Sequence, residues 1–210
     1  MKKSKLYKHI EKEIKSIKKP SIIGINGANL SGKTVFSQEL IAFLNEKGHK
    51  TQLICMDDFY NTKEIRMKDN TPECYYQNAI NTKKFVMLIS EIIMGSVNKT
   101  ISLLNTETDE YSNEKTFKTN MDTIVIVEGI LLYKPPIDAL FDYKIYLDIT
   151  EEELLKRGKE INIPQFGEKS LEIYHNLFIP VQKLYENSCK PQKNCDLLID
   201  NNNFENPEIM

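Results

Sequence analysis

Ser21-Ile22-Ile23-Gly24-Ile25-Asn26 is a short β-branched run, and Gly27-Ala28-Asn29-Leu30-Ser31-Gly32-Lys33-Thr34 follows it without a gap. The first six residues read as a buried strand. After the octet, Val35 to Lys47 sets Phe36, Leu40, Phe43 and Leu44 on one side of a helix that stops at Gly48. The octet thus joins a strand to a helix, and it matches G-x-x-x-x-G-K-[ST] in full. Glycines there let backbone N–H groups turn inward around phosphate oxygens, while the helix start adds positive potential. Lys33 is placed to neutralise β/γ-phosphate charge, and Thr34 to offer a hydroxyl to Mg²⁺. A bare Gly-rich turn would not need the lysine and the hydroxyl in these places.

On the N-terminal side, Leu6, Ile10, Ile14 and Ile17 form one face of an amphipathic helix closed by Pro20, so residues 1–20 are set apart as an N-terminal helix. Its lysines could meet a membrane or nucleic acid, but Glu11 and Glu13 dilute the charge and the apolar stripe suits packing. Downstream, Thr51 to Met56, Ile124 to Val127, Tyr143 to Ile149 and Asp196 to Asp200 read as strands. Residues 81–94, Glu151 to Glu160, and 168–188 read as helical, the last broken at Pro180. Ile101–Leu104 and Lys115–Lys118 read as two short strands of a hairpin, and 201–210 as a C-terminal tail. Strands alternating with helices predict an α/β domain over residues 21–200 with a largely parallel, doubly wound sheet and helices on both faces.

Composition narrows the classes. With 28 Lys+Arg against 30 Asp+Glu, the formal net charge of −2 argues against a nucleic-acid binder. No apolar run reaches the roughly 18 residues of a membrane span, and the first twenty lack a secretory core. The four cysteines, Cys55, Cys74, Cys189 and Cys195, show no CxxC or zinc spacing, which predicts reduced thiols in a cytoplasmic protein. His9, His49 and His175 are scattered and read as surface or packing residues. Arginine occurs only at positions 66 and 157.

The phosphate turn leaves the reaction open. A guanine-reading N-K-x-D is missing, since Asn98-Lys99-Thr100-Ile101 lacks the Asp, and no strand ends in the Asp–Glu pair of a mechanical ATPase. Two acidic strand ends remain. Cys55-Met56-Asp57-Asp58-Phe59-Tyr60 puts carboxylates at the carboxyl end of the second strand, where a doubly wound sheet faces its ligand. Either Asp57 or Asp58 can accept a substrate hydroxyl's proton there, or cap the next turn. Glu128-Gly129 ends the clearest strand and suits a Mg²⁺ site opposite Thr34.

The order GANLSGKT, MDDFY, VEGILLY and KIYLDIT-EEELLKR resembles the uridine kinase–phosphoribulokinase family of P-loop small-molecule kinases, from about Ser21 to Asp200. The resemblance implies ATP and Mg²⁺ as cofactors, a small-molecule acceptor, and a P-loop NTPase-type fold with a small lid around 151–167. It leaves a homo-oligomer open and calls for neither nucleic acid nor membrane. By position it implies Asp57, Lys33 and Arg157 as catalytic residues, and Gly27 through Thr34 with Lys193 as nucleotide-binding. It also implies Thr34, Glu128 and Asp57 around the metal, and Asp58, Tyr60, Asp69, Tyr75 and Lys159 toward the acceptor. Tyr75 and Tyr76 either line the acceptor pocket or pack in the core.

Departures are equally specific. The family's Arg-rich lid is reduced to Lys156-Arg157-Gly158-Lys159, and its D-H-P motif to Asp69-Asn70-Thr71-Pro72. Leu104 and Asp109 fall where base-reading Tyr and His are expected, with Tyr111 nearby. A ribonucleoside such as uridine or cytidine is the leading acceptor, with pantothenate-, glycerate- or sugar-phosphate-like alcohols and a silent nucleotide-binding protein as alternatives.

Overall fold

The computed structural model describes residues 2–210. At its centre stands β1 (Ser21–Gly27), flanked by β5 (Thr123–Gly129) and β6 (Tyr143–Asp148), both parallel to it. β2 (Lys50–Cys55) lies outside β5, and β7 (Leu197–Asp200) outside β6, giving the order β2-β5-β1-β6-β7 with β8 (Glu208–Ile209) antiparallel at the edge. This is the mixed, mostly parallel α/β sheet that strand–helix alternation predicts.

Strict alternation divides the apolar strands between two cores. Ile23, Ile25, Ile124 and Ile126 point to one face, where α1 (Lys3–Ile14) and α2 (Lys33–Glu46) cover them with Leu6, Ile10, Phe36 and Leu40. Ile22, Val125 and Val127 point to the other, under α4 (Pro72–Asn78), α5 (Thr82–Met94) and α8 (Ile179–Cys189), with Phe85, Ile89, Val181 and Tyr185. The stripe of α1 is therefore spent on packing. Among the described residues no helix is long and apolar enough to cross a membrane.

Register decides what gathers at the carboxyl edge. Glu128 lies beside Ile25 on one strand and beside Cys55 on the other, while Gly27 lies beside Leu147. The phosphate loop, Glu128 and the Asp57 segment thus leave the sheet from one edge. The Asp57 segment itself is a 3₁₀ turn, Met56–Phe59, leading to α3 (Lys63–Arg66).

Three features differ from the sequence reading. The hairpin is longer than its apolar residues suggested: β3 (Val97–Asn105) and β4 (Glu110–Thr119) pair alone, away from the main sheet, with many polar residues facing solvent. The 151–167 region is one regular helix, α6 (Glu151–Phe166), which α7 (Lys169–Ile173) and a π-helical turn, Tyr174–Phe178, connect to α8; Pro180 sits in the first turn of α8, where proline is tolerated. Residues 201–210 do not form a free tail. Asn201 is buried, its amide Nδ2 donates to Ser31 O at 2.6 Å, and β8 returns to pair with β7.

Candidate active site

Gly27 and Gly32 are glycine for different reasons. A Cβ on Gly27 would meet the Leu147 carbonyl at 2.5 Å, so the loop could not lie so close to β6. Gly32 has φ 90°, a left-handed conformation that disfavours side chains, and a Cβ there would also press on Asn201 at 2.9 Å. Between them, Leu30 is left-handed too, at φ 60°. The first-turn amides of α2 follow and have no intrahelical acceptors. Ser31 Oγ is buried without a partner. A loop with free inward donors and a helix start behind it suits a phosphate chain.

Lys33 is buried, and its ammonium donates to Ala28 O at 2.7 Å, folded back on its own loop. Burial lowers its pKa, and the charges of Glu128 and Asp57 offset part of that fall. Glu128 shows the mirror image: burial raises its pKa, and Lys33 opposes the rise. Thr34 Oγ1 donates to Glu128 Oε1 at 3.2 Å, and Cys55 stands beside Glu128 on the neighbouring strand. Burial and the adjacent Glu128 push the Cys55 thiol up to about 12, so it stays protonated and is no nucleophile at neutral pH. Thr34 and Glu128 present hard oxygen donors on one side of the loop, which fits Mg²⁺. That ion keeps several waters and takes few protein ligands. No group of three or more His, Cys, Asp or Glu side chains able to hold a metal occurs among the described residues.

The two aspartates separate. Asp57 is exposed and close enough to Lys33, Glu128 and Tyr60 to perturb all three. Asp58 is engaged by Lys115 Nζ, at 2.8 and 2.7 Å to its two oxygens, and so ties β4 to the end of β2. Both line a cavity of about 310 Å³ with Leu104, Asn105, Thr106, Glu107 and Asn113 of the hairpin. A second tie holds the hairpin tip, where Asp109 accepts from Lys63 N at 2.8 Å and from Arg66 Nη1 at 3.0 Å. Tyr111 lies under the Lys84 ammonium, and its hydroxyl donates to Tyr60 O at 3.4 Å.

The remaining expected residues scatter. Tyr60 and Tyr75 are buried, ring against ring at 6.4 Å, with Asp57 near enough to raise the Tyr60 pKa. They stand behind the acid rather than in the cavity. Tyr76 packs beneath Lys134. Asp69 is exposed on the turn before α4, Lys159 is exposed on α6, and Lys193 is exposed beyond α8; none lines the Asp57 cavity. Arg157 is buried, with Nε on Glu153 at 2.9 Å, Nη1 on Leu30 O at 2.9 Å, and Nη2 on Asn201 O and Asn202 O at 2.5 and 3.1 Å. Its donors are engaged by the protein in this structure, and it does not line the Asp57 cavity. Sequence reasoning missed Asn201, Cys55 and Lys115. Only Cys55, at the end of a strand pairing with that of Glu128, carried a signal that could have been read.

The model of the Phosphoribulokinase / Uridine kinase family matches residues 22–203. The chain belongs to this family. It is an ATP-dependent small-molecule kinase by class, and membership implies ATP and a divalent cation. A uridine-cytidine kinase A of Dictyostelium discoideum is 28% identical over 190 residues, covering 88% of this chain; the chain spans 36% of that relative's length. A uridine kinase of Ligilactobacillus salivarius is 27% identical over 182 residues, covering 83% of this chain and 82% of its own. A solved structure described as a possible uridine kinase from Bacillus stearothermophilus superposes with a TM-score of 0.71 at 20% identity, covering 93% of this chain and 97% of that one. That likeness speaks to the fold.

Proposed function

We propose that the chain moves the γ-phosphoryl group of ATP to a hydroxyl of a small metabolite, with a pyrimidine ribonucleoside, uridine or cytidine, as the acceptor class. One observation carries the reading: Lys33, the Thr34–Glu128 pair and the exposed Asp57 meet at one edge of the sheet, within electrostatic reach of each other. The first-turn amides and Lys33 would hold the β and γ phosphates once the ammonium leaves Ala28 O. Thr34 and Glu128 would hold Mg²⁺, which supplies charge neutralisation between the phosphates. Asp57 accepts the hydroxyl proton as the new O–P bond forms and the bond to ADP breaks.

The relatives' names point to nucleosides. A specific observation favours a second reading, an alcohol without a base: the cavity beside Asp57 offers carboxylates, amides, one threonine and one leucine, and no aromatic ring on which a pyrimidine could stack. Four unbridged thiols accord with a cytoplasmic setting. An ATP-consumption screen over nucleosides, polyols, vitamins and sugar phosphates tests both readings. Turnover with uridine or cytidine supports the first, turnover with a base-free alcohol the second, and none with any acceptor refutes the kinase.

A further inference from the structure

We propose that Arg157 and Asn201 are positioning residues that hold the phosphate loop in its binding shape from outside, an inference resting on the nucleotide-binding part of the reading above. Two consecutive loop carbonyls are pinned. The Leu30 carbonyl accepts from Arg157 Nη1 at 2.9 Å, and the Ser31 carbonyl from Asn201 Nδ2 at 2.6 Å. A trans peptide group is planar and its C=O and N–H point in opposite directions. Pulling the Ser31 carbonyl outward therefore turns the Gly32 N–H inward, toward the space the phosphates would take. The Leu30–Ser31 peptide is fixed at both ends, because Ser31 N donates to Ala28 O at 3.1 Å.

The anchor is itself closed. Arg157 binds the carbonyls of Asn201 and Asn202 through Nη2, and Glu153 orients it through Nε. One guanidinium thus joins α6, the loop and the end of β7, which is possible because its rigid fork offers several donors at once. Asn201, on the segment after β7, reaches the loop only because Gly32 has no side chain in its way. Left-handed Leu30 and Gly32 would otherwise be free to relax, so the strut stores the cradle's geometry before any ligand arrives.

The test compares the full chain with Asn201→Ala, Asn201→Ser and Arg157→Lys. It measures ADP and tripolyphosphate affinity with Mg²⁺ by titration calorimetry, beside thermal melting. Serine is too short to reach Ser31 O, and lysine keeps the charge but cannot span three carbonyls. All three variants are expected to bind both ligands about tenfold more weakly or worse, the loss associated with one misdirected hydrogen bond. Lower melting temperatures with wild-type affinity at low temperature would overturn the proposal, because a purely structural tie weakens folding and not the phosphate contact. Wild-type affinity in Arg157→Lys alone would assign that part of the effect to charge and overturn the strut at Arg157. A wild-type chain that binds neither ligand would refute the nucleotide reading itself. Should a variant fail to fold, the two Asn201 substitutions decide independently of Arg157→Lys.

Discussion

Replacing each aspartate of the 57–58 pair by asparagine separates chemistry from scaffolding. Asp57 is exposed, and no ion pair within 4.0 Å engages it among the described residues. Asp57→Asn should therefore leave stability within about 0.5 kcal/mol of wild type. If its carboxylate takes the acceptor's proton, turnover falls about 10²–10⁴-fold while ATP affinity stays put. Asp58→Asn has the opposite profile. It removes a two-pronged contact with Lys115, whose side chain is 40% exposed. Solvent screening therefore limits the loss to about 0.5–1 kcal/mol. That energy holds the hairpin wall of the cavity, so acceptor KM rises a few-fold and kcat changes little. Initial rates over acceptor and ATP concentrations, with thermal melts of each variant, read both profiles. Loss of kcat in Asp58→Asn with an active Asp57→Asn would refute the assignment.

Other outcomes follow from the same geometry. Lys33→Ala should weaken ATP binding and turnover together, and unchanged ATP affinity in calorimetry would contradict the cradle. Because burial raises the Glu128 pKa above 4.5, the folded chain holds that proton more tightly than the unfolded one. Its ionisation therefore costs stability as pH rises from 4.5 through the raised value, and below that value the carboxylate is lost to Mg²⁺. The Mg²⁺ concentration needed for half-maximal rate should accordingly climb on acidification, at a pH above an ordinary glutamate's; a flat profile down to 4.5 would count against Glu128. Tyr185→Phe strips the partner of Asn26 Nδ2 (2.5 Å) and Tyr133 N (2.8 Å), two buried donors. It should cost about 2–4 kcal/mol in urea unfolding, and a loss under 0.5 would show that the donors find other partners.

The central sheet was legible because its signals are local. Ile124 to Val127 and Ser21 to Asn26 are apolar on both faces, and the Gly–Lys–Thr spacing marks a turn that few other sequences can make. Glu128 was legible for the same reason, as a lone acid ending a buried strand. The hairpin's extent was not, because only Val97, Leu103, Leu104, Phe117 and Thr119 along its two strands are buried, and polar residues fill most of the rest. Asp58 and Asp57 are neighbours of one chemical type; what divides them is Lys115, far along the chain and placed by tertiary packing. The surroundings of Arg157 were not legible for a related reason. A guanidinium on α6 looks available until Asn201 and Leu30 are known to stand beside it.

Both guanidinium groups of this chain are engaged by the protein itself, Arg157 behind the phosphate loop and Arg66 between Asp109 and the Tyr60 ring. The loop's own cation, Lys33, is an ammonium, which carries a removable proton and a primary amine. Acetyl transfer to such an amine would erase its charge outright, and the burial of Lys33 keeps that amine out of reach of acyl donors while the loop stays folded.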